Sequence, residues 1–262
     1  MGSLLVDRRD GVVTITLNRP ERKNAITAAM WGELVAVFDE VAEQRDDRVL
    51  VITGAGDGFC SGADLSGGAG AGAAGGGIGS ALAQMRVVGR AALRLHELSK
   101  PTIAAVNGVA AGAGCNLALG CDLVLASDRA RFSEIFTARG LTLDFGGSWV
   151  LPRLVGLHRA KELAFLADII DATEANRIGL VNRVVPHARL ADEAAALAAR
   201  LAAAPPVPLA VTKRLLNQSS SVSMAEAIEF ENVAQSMMFA SRDTAEAVLA
   251  FLEKRAPHFT GE

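Results

Sequence analysis

The sequence predicts an α/β fold made of parallel βαβ units and closed by a run of helices, on three observations. Short β-rich segments alternate with amphipathic helices through the first half. After about Asp144 the pattern is mostly helical. Two turns rich in Gly and Ala follow directly on buried strands, where open α/β sheets place ligands.

Leu4–Val6 and Val12–Leu17 are β-rich runs around Arg9-Asp10-Gly11, which reads as a hairpin with an Asp-Gly turn. Thr27 caps a helix over roughly residues 28–44, with apolar Leu34, Val37, Phe38 and Val41 at helical spacing. Val49–Ile52 is a buried strand ending in Gly54, and a second helix covers roughly residues 81–98 before Pro101. Ile103–Val106 and Leu123–Leu125 are further strands, with a helix opening at Gly112 between them and a last strand at Val184–Val185. Residues 191–203 form an alanine-rich helix, Pro205, Pro206 and Pro208 mark a break, and helices near 209–217, 224–240 and 244–255 follow. Their apolar faces need a partner, either the core or another subunit. Residues 66–79 are almost entirely Gly and Ala, the composition of a surface loop or of a mobile flap beside a site.

With 262 residues, half of them apolar, the chain has ample material for a large core. A net charge of −3, from 26 basic and 29 acidic residues, gives no reason to expect nucleic acid or an anionic membrane as partner. Cys60, Cys115 and Cys121 make an odd count without framework spacing, which points to a reducing compartment. No CxxC pair exists and the four histidines are scattered, so no metal is expected. The start lacks a signal-peptide core, and no apolar run of about 18 residues spans a bilayer. The expected location is therefore cytoplasmic. Gly70–Gly75 matches GxGxxG but sits in the Gly/Ala tract, with no acidic residue until Glu97, so a dinucleotide site is not expected. Neither a P-loop nor a GxSxG elbow occurs.

The chemistry is expected at the two turns. One is Gly58-Phe59-Cys60-Ser61-Gly62-Ala63-Asp64-Leu65; the other runs from Asn107-Gly108 through Ala113-Gly114-Cys115-Asn116 and opens a helix. Small residues let a ligand approach the backbone, and a helix N-terminus favours negative charge. Two converging N–H groups there would hold an oxyanion, each donor contributing ~3 kcal/mol in a transition state. The plain alternative is a pair of tight strand–helix turns with no ligand.

Asn18-Arg19-Pro20-Glu21-Arg22-Lys23-Asn24-Ala25, then the two turns, then Cys121-Asp122-Leu123, resemble in order the signatures of the enoyl-CoA hydratase/isomerase (crotonase) superfamily. The resemblance covers about Leu4 to Phe259. It implies a ββα spiral core with the CoA-ester site over residues 1–200, and a C-terminal helical trimerisation region over 201–262. It implies a homotrimer or a dimer of trimers, an acyl-CoA substrate whose coenzyme A is part of the thioester, and no permanently bound cofactor. It also implies that the amides of Ala63 and Ala113 bind the thioester oxygen. Lys23 and Ala25 would lie along the CoA phosphates and adenine, Asp64 and Leu65 along the pantetheine, and Phe251 and Lys254 would contact CoA from the C-terminal helix, often of a neighbouring subunit. For Lys23 and Lys254 the alternative is a solvated surface lysine.

The chain departs from the superfamily's hydratases, which carry two catalytic glutamates: Asn116 and Phe136 occupy those positions. Neither can transfer a proton, and water addition needs such groups. Asp144-Phe145-Gly146-Gly147-Ser148-Trp149, continuing as Val150-Leu151-Pro152-Arg153, is similar to the pattern of the phenylacetate-pathway epoxide-to-oxepin CoA isomerase branch, whose matching aspartate is the acid/base. Among Leu143, Phe145 and Trp149, Asp144 is expected to be desolvated and its pKa raised; otherwise it caps the helix opening at Gly146. Asn116 is expected to orient water or a substrate carbonyl, and Phe136, Phe145 and Trp149 to make the acyl pocket apolar. Glu134, the rival acid, is expected on the surface. Three functions follow: an enoyl-CoA isomerase, an enoyl-CoA hydratase, or a non-catalytic acyl-CoA binder.

Overall fold

The structure, a computed structural model, describes residues 2–64 and 77–262. Leu65 and most of the Gly/Ala tract, with its GxGxxG string, lie outside the described residues. The chain opens with the expected hairpin: β1 (Leu4–Arg9) pairs antiparallel with β2 (Val12–Leu17). Asp10 and Gly11 turn it at φ 50° and 77°, the conformation an Asp-Gly turn supplies. The Thr27 hydroxyl then accepts from the Met30 amide and starts α1 (Ala28–Glu43). That helix buries Leu34, Phe38 and Val41 as their spacing predicts, with Met30 and Trp31 beside them.

From there the chain winds. β3 (Val49–Gly54), β4 (Gly58–Cys60) and α2 (Gly77–Glu97) make one turn; β5 (Thr102–Val106), β6 (Val109–Ala111) and α3 (Ala113–Leu119) make the next. A third lays down β7 (Leu123–Ser127) and β8 (Arg131–Ser133), then a 3-10 turn (Thr137–Arg139), α4 (Gly147–Val155) and α5 (Leu157–Leu166). β9 (Ile170–Asp171), α6 (Ala172–Arg177) and β10 (Arg183–Val185) follow. Each turn gives its first strand to a six-stranded sheet, ordered β1-β2-β3-β5-β7-β10 and parallel from β2 onward. It gives its second strand to a four-stranded sheet, β4-β6-β8-β9. This is the expected α/β spiral of ββα turns.

The second sheet corrects the sequence reading, which takes Gly58–Cys60 and Val109–Ala111 as parts of turns. They are strands of three residues each. Too short to alternate and built mostly of Gly, Ala and Cys, they carry no β-propensity signal; pairing with neighbours defines them.

Both faces of the larger sheet are covered. Ile15, Leu50, Ile52, Ala104 and Val106 face α1 and α2, while Val49, Val51, Ile103 and Leu125 face Leu190, Ala194 and Ala198 of α7 (Leu190–Ala202). Phe38 is fully enclosed in the first of these layers. A Phe38→Ala variant is expected to lose about 3–5 kcal/mol of stability, read as a lower urea midpoint at unchanged slope.

Pro206, expected at a break, instead occupies the first turn of α8 (Pro206–Gln218), where a missing N–H leaves no bond unmade. A reciprocal Ser223–Glu226 capping box starts α9 (Met224–Phe239), and α10 (Arg242–Glu253) ends the helical run. α9 buries no residue and leaves Phe230, Val233, Met237 and Phe239 exposed. No single described helix is long and apolar enough to cross a membrane.

Candidate active site

Two asparagines sew the first turn in place. Asn24 is fully buried and donates to the carbonyls of Ala55 and Gly58, while its Oδ1 accepts from the Arg19 amide. Asn107 donates to the carbonyls of Gly54, Gly56 and Gly58 from the opposite side. Downstream, the Ile26 amide donates to Gly62 O and the Asp64 amide donates to Ile26 O, both at 2.8 Å. In such a parallel bridge the intervening residue turns its own N–H the other way. That residue is Ala63.

Ala113 is the first residue of α3, so its amide has no partner within the helix. Neither the Ala63 nor the Ala113 amide donates to another described residue. A Cβ on Gly62 would stand 2.9 Å from Ala111 O and 3.7 Å from the Ala113 nitrogen, so the two turns all but touch and only glycine fits between them. Both alanines line one cavity of about 470 Å³, together with Phe136, Leu141, Ile169 and Asp144.

Asp144 is half-buried there, and burial pushes its carboxyl up to about 6. Its Oδ1 is enclosed without a hydrogen-bond partner. It does not cap α4: the cap position is Gly146, with no side-chain bond to the helix. The loop is held by the backbone of Asp144, whose carbonyl accepts from the Asn116 Nδ2 (3.0 Å) and from the Gly147 amide (2.9 Å). The side chain is thereby left free to face the cavity.

Three expectations are corrected. Asn116 does not line the cavity; it is buried behind it, between α3 and the Asp144 loop, because the fourth residue of α3 points into the core. Phe145 and Trp149 do not line it either. Phe145, at φ 48°, turns into the core with its ring centroid 5.3 Å from that of Trp31, while Trp149 packs on the other side of α4 against His96 and Arg153. Of the three aromatics, only Phe136 borders this cavity. Glu134, expected on the surface, is 3 % exposed, with both carboxyl oxygens enclosed and unpartnered. Burial, reinforced by the nearby Asp144 charge, pushes it up to about 7. No sequence signal separates this glutamate from an ordinary exposed one.

The residues expected along CoA lie on several elements. Lys23, at φ 48°, presents its ammonium to Asp57 at 2.5 Å, and its carbonyl accepts from the Ser61 amide on the cavity wall. Ala25 is buried. Its carbonyl accepts from Arg19 Nη1, which also pairs with Asp64 at 2.7 Å. Arg19 thus ties the first signature to the turn that carries Ala63, a role its position before Pro20 did not announce. Phe251 and Lys254 sit at the exposed end of α10 and do not line this cavity.

A larger groove of about 600 Å³ lies on the opposite face of the big sheet, under α7. Its acids Asp7 and Asp10 are exposed, and Asp7 is paired with Arg9. The three cysteines are free and buried, and burial raises their thiols, to about 12 at Cys60 and Cys121.

A Cβ on Gly147 would meet Asn116 Nδ2 at 2.4 Å. Gly147→Ala should therefore displace the amide that holds the Asp144 loop. The expected results are a loss of about 1–3 kcal/mol on thermal or urea unfolding and a fall in turnover of about tenfold or more.

A ββα spiral with two unengaged amides and one desolvated acid around a single cavity defines a class: thioester enzymes of the crotonase type. The chain belongs to the enoyl-CoA hydratase/isomerase family, whose family model matches residues 7–262. It is 41% identical over 254 residues to the 1,2-epoxyphenylacetyl-CoA isomerase of Escherichia coli (strain K12), covering 96% of each chain. It is 35% identical over 265 residues to the short-chain-enoyl-CoA hydratase of Clostridium acetobutylicum, covering 97% of this chain and 96% of that one. A crystal structure of enoyl-CoA hydratase from Bacillus anthracis superposes with a TM-score of 0.94 at 32% identity over 100% of both chains. The names of the relatives thus include both isomerases and hydratases, and the chain is an enzyme of this enoyl-CoA hydratase/isomerase family.

Proposed function

We propose that this chain is an enoyl-CoA isomerase in which Asp144 alone moves the proton. The observation that carries the reading is one desolvated carboxyl on the same cavity as the Ala63 and Ala113 amides. The carboxylate takes a proton from the α-carbon of a 3-enoyl thioester. The C–H pair moves into the dienolate, whose charge rests on the thioester oxygen between the two N–H groups. The same carboxylic acid then gives the proton to the γ-carbon, and the double bond ends between α and β. A base near 6 is ionised at neutral pH yet more basic than an ordinary aspartate.

In this reading coenzyme A follows Lys23, Ala25, Asp64 and Leu65, Phe136 bounds the acyl group, and Phe251 and Lys254 reach CoA from a neighbouring subunit. Asn116 acts through the loop, not on substrate. The apolar residues exposed on α9 and α10 support assembly as a trimer or a dimer of trimers, with residues 201–262 as the oligomerisation region. Incubation with a 3-enoyl-CoA should raise the conjugated-thioester absorbance; no rise across chain lengths and an aryl-acetyl panel would remove the isomerase reading. Enoyl-CoA hydration is the second reading, favoured by the buried Glu134 beside Asp144. It predicts a fall in absorbance with crotonyl-CoA. Against it, Glu134 does not border the cavity, so no second acid reaches substrate.

A further inference from the structure

Five buried side-chain polar atoms among the described residues lack a hydrogen-bond partner, and four of them meet at one place: Asn116 Oδ1, both Glu134 oxygens and Asp144 Oδ1. With both acids ionised, all four are acceptors, and enclosing unsatisfied acceptors together is costly. A single proton changes the count, because a protonated carboxyl is also a donor. The groups facing Glu134 are Cys115 and Asn116 from α3, whose hydrogen-bonding groups favour the carboxylate, and Asp144 from the loop before α4, whose charge disfavours it; none is a cation, and burial outweighs the two polar neighbours. Cys115 in turn faces Cys60, which is neutral.

We propose that Glu134 is held protonated and is a positioning residue for Asp144: its O–H donates to Asn116 Oδ1, fixing the amide whose Nδ2 holds the Asp144 carbonyl. The proposal rests on the reading of Asp144 as the base. Glu134 does not touch substrate, being 3 % exposed and absent from the cavity wall. The order of ionisation agrees. Asp144 gives up its proton near 6 and its charge helps keep the proton on Glu134 to about 7, two steps that belong to the pair.

The sign of the pH dependence follows. As pH rises through about 6, Asp144 ionises and kcat/KM climbs. As it rises through about 7, Glu134 ionises, the donor to Asn116 is lost, a second negative charge stands beside Asp144, and kcat/KM falls.

The test compares the native enzyme with Glu134→Gln and Glu134→Leu on a 3-enoyl-CoA. Leucine cannot donate, and should lower kcat about tenfold or more with KM changed by less than about twofold. Glutamine donates without ionising, so it should recover most of that loss and abolish the alkaline fall. A Glu134→Leu variant as fast as the native enzyme, or a Glu134→Gln variant that keeps the alkaline limb, overturns the proposal. A pH-difference infrared spectrum reads the proton without turnover. The native enzyme should show a carboxylic C=O band persisting above pH 6 that Glu134→Gln lacks; its absence from the native protein also overturns the proposal. Full activity in Asp144→Asn would remove the base but leave that band in place, so the two failures are distinguishable.

Discussion

Asp144→Asn should slow the isomerisation of a 3-enoyl-CoA at saturating substrate by roughly 10²–10⁴-fold, the usual contribution of a positioned acid/base. Asparagine keeps the size of the side chain, and the backbone contacts that seat the loop are untouched. KM should therefore stay close to native. The acid limb of the pH profile must vanish as well, because it comes from a carboxyl that burial has moved up to about 6 and whose ionised form, present above that pH, does the work. Stopped-flow absorbance across pH 5–8 checks both points. An unchanged rate would mean that the proton passes through another group.

Ala113→Pro should slow turnover by about 10²–10³-fold, the effect of losing one oxyanion donor. Proline is tolerated at the first position of a helix, where no intrahelical bond needs the N–H. Ala113 holds that position in α3. The substitution removes one amide from the cavity and should leave the far-UV circular dichroism of the native fold. Native turnover by a folded Ala113→Pro enzyme would show that this amide does not hold the thioester oxygen.

The periodic parts of the fold were legible in the sequence. Thr27 and the Leu34, Phe38, Val41 spacing marked α1, and the Asp10-Gly11 turn marked the hairpin, because capping and amphipathicity are local physics. The four-stranded sheet was not legible, since strands as short as Gly58–Cys60 exist only through partners distant in sequence. At the site, Ala63, Ala113, Phe136 and Asp144 all border the expected cavity. Side-chain direction was the weak link: Phe145 was expected to desolvate Asp144, yet its left-handed backbone sends the ring to Trp31. Glu134 was missed because burial of an acid is a tertiary property that composition and periodicity do not carry.

The division of labour between main chain and side chains has a consequence for how such an enzyme can diverge. The Ala63 and Ala113 donors are peptide groups, and a point mutation to any residue but proline leaves a peptide N–H behind. The proposed proton carrier, Asp144, is an ordinary side chain, replaceable one codon at a time. Charge stabilisation is thus inherited almost indelibly, while the choice of which carbon gains a hydrogen is open to drift. A scaffold partitioned in this way is suited to hosting several reactions of one thioester intermediate without rebuilding its catalytic centre.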